Sequence, residues 1–244
     1  MRPDINCDMG EGIGDPSLPA GRDELIMPFI SSANIACGYH AGDATIMKQT
    51  VELAVKHHVA IGAHLSFPDR ENFGRIEMKL ENNEVYDLVT QQLYILNEIT
   101  TAFGGKLNHV KPHGALYNMS ARDAMLSGVI AKAVKDFDAS LLLLGLSGSH
   151  SISEAKKIGL KTASEVFADR TYEDDGTLTS RSKPGALLKT VEEVVKQVMQ
   201  MVNDKTVTTL SGKKIAVLAE TICIHGDGEH AVAFAKAIQN AINK

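Results

Sequence analysis

The chain has 244 residues, of which 44% are hydrophobic and 23% are charged, proportions that are ordinary for a globular protein with a full apolar core. Its formal net charge of −5 argues against non-specific binding to nucleic acid, which needs a basic surface. No apolar run approaches the length that crosses a membrane, and the first residues lack the apolar segment of a signal peptide. We therefore expect a cytoplasmic protein with neither a membrane nor a nucleic-acid partner.

Strand-like and helix-like segments alternate along the chain. In order, the strands are predicted at 5–7, 33–37, 59–61, 107–110, 140–144, 160–166 and 221–224, with a small added strand at 215–218. The helices are predicted at 22–30, 43–58, 83–102, 122–135, 152–158, from 184 onward, and at 229–242. About seven βα units, without a linker or a shift in composition, predict a single α/β domain over residues 1–244.

Polar residues follow nearly every predicted strand, and this pattern favours a barrel over an open sheet. An α/β barrel carries its catalytic groups at the carboxyl ends of successive strands, whereas an open doubly wound sheet binds its ligand at one switch point. The sequence has neither the glycine fingerprint of a dinucleotide-binding fold nor a phosphate-binding P-loop. We therefore predict an irregular parallel β/α barrel of about seven strands, with a site on its rim.

Four histidines stand at equivalent places in this pattern. His40, His64, His113 and His225 each follow or end a different predicted strand, next to a Gly or Ala that lets a ligand approach the backbone. One such histidine is more often structural, but four in parallel positions favour a functional site. His109 falls inside a strand, where a buried structural histidine is the better interpretation.

The acidic residues and one lysine leave several roles open. Asp8 has no helix directly after it, whereas Asp43 and Asp227 each precede a predicted helix and have an alternative role as N-caps. An Asp and two His on one rim could hold a divalent metal, and plain acid–base chemistry fits them equally well. Lys111, beside a strand-ending proline, could pair with Asp8 or Glu11, or bind a phosphate or an oxyanion.

Cysteines and long loops complete the pattern. The three cysteines are too few and too scattered for a disulfide framework, so we expect them to be small buried side chains. Two polar loops, at 66–79 and 169–183, are longer than a βα connection needs and are predicted as lids or binding loops.

A series of short motifs runs through the chain in a definite order. They are Asn6-Cys7-Asp8-Met9-Gly10-Glu11, Ser31-Ser32-Ala33-Asn34-Ile35-Ala36-Cys37-Gly38 with His40-Ala41-Gly42-Asp43, Gly62-Ala63-His64, Phe73-Gly74-Arg75, His109-Val110-Lys111-Pro112-His113-Gly114-Ala115-Leu116-Tyr117, Phe167-Ala168-Asp169-Arg170 and Cys223-x-His225-Gly226-Asp227. Together they resemble the motifs of the LamB/YcsF family and cover nearly the whole chain. The chain departs from the family pattern at Leu65 and Ile76, where Pro and Arg are usual, and these departures leave the presumed chemical groups in place.

The resemblance implies both a fold and an activity. The fold is a barrel of the glycoside hydrolase/deacetylase type, and the activity is that of an ATP-dependent 5-oxoprolinase. In that reaction the lactam of 5-oxo-L-proline is opened to L-glutamate, with ATP as co-substrate and 5-oxoprolinase subunits B and C as partners. A divalent metal, Mg or Zn, and a homo-oligomer are left open. Two rival hypotheses are a stand-alone metal-dependent amide or sugar deacetylase and a non-catalytic subunit that binds a carboxylate.

Transferred to the matching motifs, the resemblance also implies site residues. The catalytic group is Asp8, His64, Lys111, His113, Asp169 and Arg170. The substrate-binding group is Asn6, Glu11, Asn34, Asp43, Arg75, Tyr117, His225 and Asp227. Independently of the resemblance, the Asp and two His that could hold a metal on the rim are Asp8, His40 and His64. The shared rim position of Lys111 and Arg170 suggests the hypothesis that they bind phosphate or the developing oxyanion. The base for water is Asp8, His64 or His113.

Overall fold

Parallel strands close into a barrel at the centre of the molecule. The computed structural model describes residues 2–12, 21–226 and 230–243. Within them, the barrel strands are β1 (Asp4–Met9), β2 (Ser32–Ala36), β3 (Ala60–Leu65), β4 (Leu107–Pro112), β5 (Leu142–Leu146), β6 (Lys161–Phe167) and β9 (Thr221–His225). They pair in this order, and β9 returns to β1. The predicted parallel α/β barrel is confirmed.

Helices flank the barrel strands. They are α1 (Gly21–Ile26), α2 (Ala44–His57), α3 (Asn82–Ala102), α4 (Gly114–Arg122), α5 (Ala124–Phe137), α6 (His150–Lys157), α7 (Val191–Met199) and α8 (Ala231–Ile242). On α3, the apolar residues Val85, Leu88, Val89, Leu93 and Leu96 are buried, because their three-and-four spacing places them on one helix face. None of the helices in the described ranges combines the length and apolar character needed to cross a bilayer.

Two local predictions differ from the structure. Helix α4 was not predicted, and Asp123 separates it from α5 by accepting hydrogen bonds from the first turn of α5. The helix predicted from Pro184 is present, but its predicted start is wrong, because α7 begins at Val191 and is capped by the Thr190 side chain. In the segment after Pro184, Leu187 instead forms an isolated antiparallel β-bridge with Arg170, which follows β6.

The small added strand lies outside the barrel. It is β8 (Lys214–Ala216), and it pairs antiparallel with β7 (Thr206–Thr208). The two form a separate two-stranded sheet. The prediction of a short strand near residue 215 that is not part of the barrel is therefore confirmed, with slightly different bounds.

The barrel interior is polar. Asn34 on β2 donates to Asn6 on β1 at 2.7 Å and accepts from His109 on β4 at 2.9 Å. Strands β2 and β4 are not neighbours, so the second bond crosses the inside of the barrel. The His109 ring fits there because residue 62 is Gly, where a Cβ would lie 2.0 Å from His109 Nε2. A buried polar group is tolerated when it is hydrogen-bonded, and here such groups form a network beneath one end of the barrel.

Candidate active site

A cavity of about 600 Å³ opens at the carboxyl ends of the barrel strands, where α/β barrels carry their catalytic groups. Its wall is completed by the loops that follow β3 and β6. The predicted site residues that line it are Asp8, Glu11, His64, Arg75, Lys111, His113, Tyr117, Arg170 and His225. The structure thus brings distant motifs into one hollow, and the roles of these residues stay predictions.

Lys111 lies at the floor of this cavity and is 2% exposed. Its Nζ lies 2.8 Å from Asp8 Oδ1, 3.0 Å from Glu165 Oε1 and 3.1 Å from Cys223 Sγ. Burial opposes the charge of Lys111, but the neighbours Asp8, Cys223 and Glu165 outweigh burial and raise the pKa of the lysine well above its usual value. Lys111 is therefore a fixed cation and cannot serve as a base.

Asp8 is held in place by partners on both of its oxygens. Oδ1 accepts from Lys111 and, at 2.8 Å, from Asn34 Nδ2, while Oδ2 lies 3.4 Å from His64 Nε2. Burial alone would raise the pKa of Asp8, but the charges of His64 and Lys111 hold it well below the usual range. Asp8 is therefore an ionised carboxylate at neutral pH, with little freedom to turn.

Beside Asp8, three imidazoles gather around Glu11. Glu11 Oε1 lies 2.9 Å from His40 Nε2, 3.5 Å from His64 Nε2 and 3.2 Å from His113 Nδ1. Each of these four residues offers one atom that could bind a metal ion, and the four atoms all lie within 4.8 Å of one another. Of the predicted metal ligands, His40 and His64 belong to this group. The carboxylate in it is Glu11, not Asp8, which lies in a separate group with a cysteine and a histidine.

Backbone carbonyls orient the two rings that face each other. His64 Nδ1 donates to the Lys111 carbonyl at 3.0 Å, and His113 Nε2 donates to the Phe73 carbonyl at 2.9 Å, since a carbonyl oxygen can only accept. The other ring nitrogens, His64 Nε2 and His113 Nδ1, lie 2.9 Å apart. Two lone pairs at that distance repel each other, so a proton or a metal ion has to be shared between them.

The surroundings push the pKa values of these imidazoles apart. Burial would lower the pKa of His64, but the charge of Asp8 and its hydrogen bond outweigh burial and raise it. Burial lowers the pKa of His113, and it lowers that of His40 to about 4. In the absence of a metal, the shared proton therefore belongs to His64, and His113 is neutral and accepts it.

The loop after β3 is locked onto the end of β4. Ala115 donates its backbone N–H to the Gly74 carbonyl at 2.9 Å, and the Phe73 ring meets the His113 ring edge-on with centroids 5.2 Å apart. Gly114 has a φ of +55°, and a Cβ there would lie 2.5 Å from the Gly74 carbonyl oxygen. Only glycine permits both this backbone conformation and this close approach, so the motif that carries His113 needs it.

Five of the predicted site residues do not line the cavity. Asn6 and Asn34 are buried among the side chains beneath it, and His40 is fully buried behind the wall. Asp43 is exposed and caps α2 by accepting two backbone N–H groups, so the assignment of Asp43 to substrate binding is not supported. Asp169 pairs with a histidine at the cavity edge. The prediction for Asp227 lies outside the described residues.

Two neighbours of Lys111 were missing from the predicted set. Glu165 lies inside β6 and is 0% exposed, and Cys223 lies inside β9. All three cysteines are free and buried, as expected, but Cys223 also contacts the lysine. The signal for Glu165 was a single carboxylate within an otherwise uncharged buried strand segment, because an unpaired buried carboxylate is too costly and requires a cation nearby.

The carboxyl-end rim of this closed parallel barrel carries carboxylates, imidazoles and a buried lysine. Side chains of these types at this place are typical of α/β-barrel proteins with a catalytic site on the rim. The sequence matches the LamB/YcsF family over residues 3–244. The chain belongs to this family, and the resemblance inferred from its motifs is confirmed.

Named relatives and a solved structure cover the chain in full. A protein of Tolumonas auensis, named as the A subunit of 5-oxoprolinase, is 53% identical over 98% of this chain and 94% of its own length. A Staphylococcus aureus protein of the same name is 50% identical over 100% of this chain and 97% of its own. The crystal structure of a lactam utilization protein from Thermus thermophilus matches with a TM-score of 0.91 at 42% identity, covering 100% of this chain and 96% of that one.

Proposed function

We propose that this chain is the A subunit of an ATP-dependent 5-oxoprolinase, which opens the lactam of 5-oxo-L-proline to L-glutamate together with subunits B and C. The substrate class is supported by the names of the relatives. The structural observation that carries a hydrolytic role is the cavity floor, where an ionised Asp8, the fixed cation Lys111 and the His64–His113 pair lie in contact. The predicted cytoplasmic location fits this role and stays a prediction.

The histidine pair supplies the proton transfers that the reaction requires. Opening a cyclic amide needs one group that accepts a proton from water and one that returns a proton to the ring nitrogen. Neighbouring groups whose pKa values are pushed apart are the usual solution. His64, with its raised pKa, is the donor, and His113, with its lowered pKa, is the acceptor. Their facing nitrogens are 2.9 Å apart and hold one shared proton, so the pair returns to its starting state when it gives that proton to the ring nitrogen and takes one from water.

Lys111 acts through its charge. Its ammonium donates hydrogen bonds to Asn6, Asp8 and Cys223 and lies beside Glu165, which leaves it no free donor for a phosphate. A fixed positive charge in a buried site nevertheless stabilises negative charge that develops on a carbonyl oxygen nearby. We therefore retain Lys111 as the group that stabilises the oxyanion, and we assign any phosphate contact to the outer wall of the cavity.

The imidazole cluster fits a divalent metal. The facing nitrogens of His64 and His113 have lone pairs that can bind a proton or a cation. These two rings are oriented by backbone carbonyls, as is usual for metal-ligating histidines. Glu11, His40, His64 and His113 would hold the ion. The ion would take the place of the proton shared by His64 and His113, so the pair carries a proton only in the metal-free protein. Three imidazoles and a carboxylate suit zinc better than magnesium, which prefers oxygen ligands. Such an ion would supply Lewis-acid polarisation or an activated water.

A glutamate-release assay tests this function. We expect wild-type protein to release L-glutamate from 5-oxo-L-proline only with ATP and with subunits B and C present. Lys111→Met and His113→Ala should each lower turnover at least about 100-fold, the scale on which proton transfer and oxyanion stabilisation act. Lys132→Met, at an exposed ion pair on α5, is the matched control and should retain full turnover. Near-wild-type turnover in both site variants would refute the assignment.

The imidazole cluster also keeps one rival function open, that of a stand-alone metal-dependent amidase or deacetylase. The same assay separates the two functions. Hydrolysis that is abolished by a chelator and needs neither ATP nor partners would favour the rival. Dependence on all three components would exclude it.

A further inference from the structure

The loop between β6 and α7, residues 168–190, brings two arginines to the cavity. Arg170 and Arg181 both line it, on the wall formed by this loop. Arg170 is 7% exposed, whereas Arg181 is exposed. A buried guanidinium requires an ion pair or a full set of hydrogen bonds. The partners of Arg170 therefore indicate whether its role is structural or is to bind a ligand.

The described residues do not provide those partners. Arg170 Nη2 donates to the Thr179 carbonyl, but the buried Arg170 Nε has no hydrogen-bond partner. Among the residues that the structure describes, no carboxylate forms an ion pair with either arginine. The neighbouring Asp169 lies with both oxygens about His225 Nδ1, at 2.9 and 3.0 Å. Burial, together with the charge of Arg181, lowers the pKa of Arg170 to about 10.

The scaffold keeps Arg170 in this unfavourable position. The Gln197 side chain on α7 donates to the backbone carbonyls of Phe167, Ala168 and Arg170. The Leu188 N–H donates to the Asp169 carbonyl at 2.9 Å. Each of these bonds fixes the backbone around Arg170, and the bond from Nη2 to the Thr179 carbonyl holds the guanidinium at the cavity wall. The charge of Asp169 acts on both arginines, but its oxygens lie about His225. One carboxylate beside two cations leaves a positive charge for an anionic ligand to neutralise.

We propose that Arg170 and Arg181 form an anion subsite that binds the negatively charged group of the substrate, a carboxylate or a phosphoryl group attached to the lactam. This inference rests on the proposed function, because it makes the outer wall bind the charged part of the substrate while the floor acts on the amide. A planar guanidinium fork matches the oxygens of either group. The subsite therefore selects anionic lactams over neutral ones.

The test uses the complex of this chain with subunits B and C. The measured quantities are the KM for 5-oxo-L-proline, the binding of pyrrolidinone, which is the same lactam without the carboxylate, and inhibition by inorganic phosphate. We expect Arg181→Gln and Arg170→Lys each to weaken the affected anion about tenfold, the effect of one lost charge-assisted hydrogen bond. Binding of pyrrolidinone should not change. Lys183→Gln removes a charge from the same loop outside the cavity lining and should change nothing.

The pattern of losses identifies the anion. Weaker use of 5-oxo-L-proline alone assigns the subsite to the carboxylate, and weaker inhibition by phosphate alone assigns it to a phosphoryl group. If both the use of 5-oxo-L-proline and the inhibition by phosphate are weakened, the subsite accepts either a carboxylate or a phosphoryl group. The proposal would be overturned if a folded Arg181→Gln protein kept both the wild-type KM for 5-oxo-L-proline and the wild-type inhibition by phosphate. If the wild-type complex releases no glutamate, the proposed function fails, and calorimetry of phosphate binding to wild type, Arg181→Gln and Lys183→Gln still decides the subsite.

Discussion

Replacing Lys111 with methionine removes the charge from the cavity floor and keeps a side chain of similar length. Asp8 and Glu165, which are 6% and 0% exposed, would then face each other without the cation that lies 2.8 and 3.0 Å from them. Removing one partner of a buried ion pair costs about 3 to 5 kcal/mol, because the other charge stays buried. We expect Lys111→Met to lower the free energy of unfolding by about that amount.

Urea unfolding followed by circular dichroism measures this loss. Lys132→Met, at an exposed pair on α5, should leave the unfolding midpoint unchanged. Adding Glu165→Gln to Lys111→Met removes one of the two uncompensated charges, so the double variant should be more stable than Lys111→Met alone. A loss below about 1 kcal/mol, the range of surface pairs, would refute the argument that the floor depends on this cation.

The same variant should respond to pH in a definite direction. The pKa of Asp8 in the wild-type fold is held well below its usual value, so the pairing stabilises the fold above the unfolded pKa of about 3.9. That contribution is lost as the pH falls through the folded value. Without Lys111 the pKa of Asp8 rises, and Asp8 is protonated earlier on acidification. The difference in stability between wild type and variant should therefore shrink below about pH 4.

Two further predictions concern the glycine turn and the imidazole cluster. Gly114→Ala places a Cβ 2.5 Å from the Gly74 carbonyl and should destabilise the fold by more than about 1 kcal/mol, whereas Gly128→Ala, in open space on α5, should be neutral or stabilising in the same thermal-unfolding assay. Calorimetric titration of the isolated chain with zinc should show binding that releases protons and weakens as the pH falls through the raised pKa of His64, because the ion displaces that proton. His64→Ala should abolish this binding, and His150→Ala, at an exposed histidine, should not. Equal destabilisation by both glycine variants, or zinc affinity that is independent of pH, would contradict these expectations.

Much of the architecture could be predicted because particular residue types, such as proline and clusters of polar side chains, occur where the strands end. Pro112 cannot donate to a sheet ladder, and β4 ends there. The residue before it, Lys111, then had to stand near the rim, where Asp8 and Glu11 are both possible partners; the structure selects Asp8, at 2.8 Å. The periodic apolar face of α3 was equally legible. These features are local, so a single sequence reveals them.

Features that depend on which strand face points inward could not be predicted. In a strand buried on both faces, alternation does not show which residues enter the barrel, so Glu165 was not recognised as a partner of Lys111. Glu11 lies in a loop, and the spacing of residues along the sequence does not show which side chains a loop residue will contact. The predicted start of the helix at Pro184 was wrong because proline in a first turn is only a preference. At that point the chain uses its backbone groups to bridge to the end of β6 instead.

The polar barrel interior makes sense as the support of a rigid carboxylate. Asp8 is bound by Asn34, Asn34 is bound by His109, and the His109 ring occupies the space that Gly62 leaves free. A site whose dipoles and charges are already oriented spends no free energy on reorganising them during reaction. An apolar interior would stabilise the barrel more but would leave Asp8 free to turn. A side chain at position 62 would therefore act on the cavity from beneath, by displacing His109 and, through Asn34, the carboxylate itself.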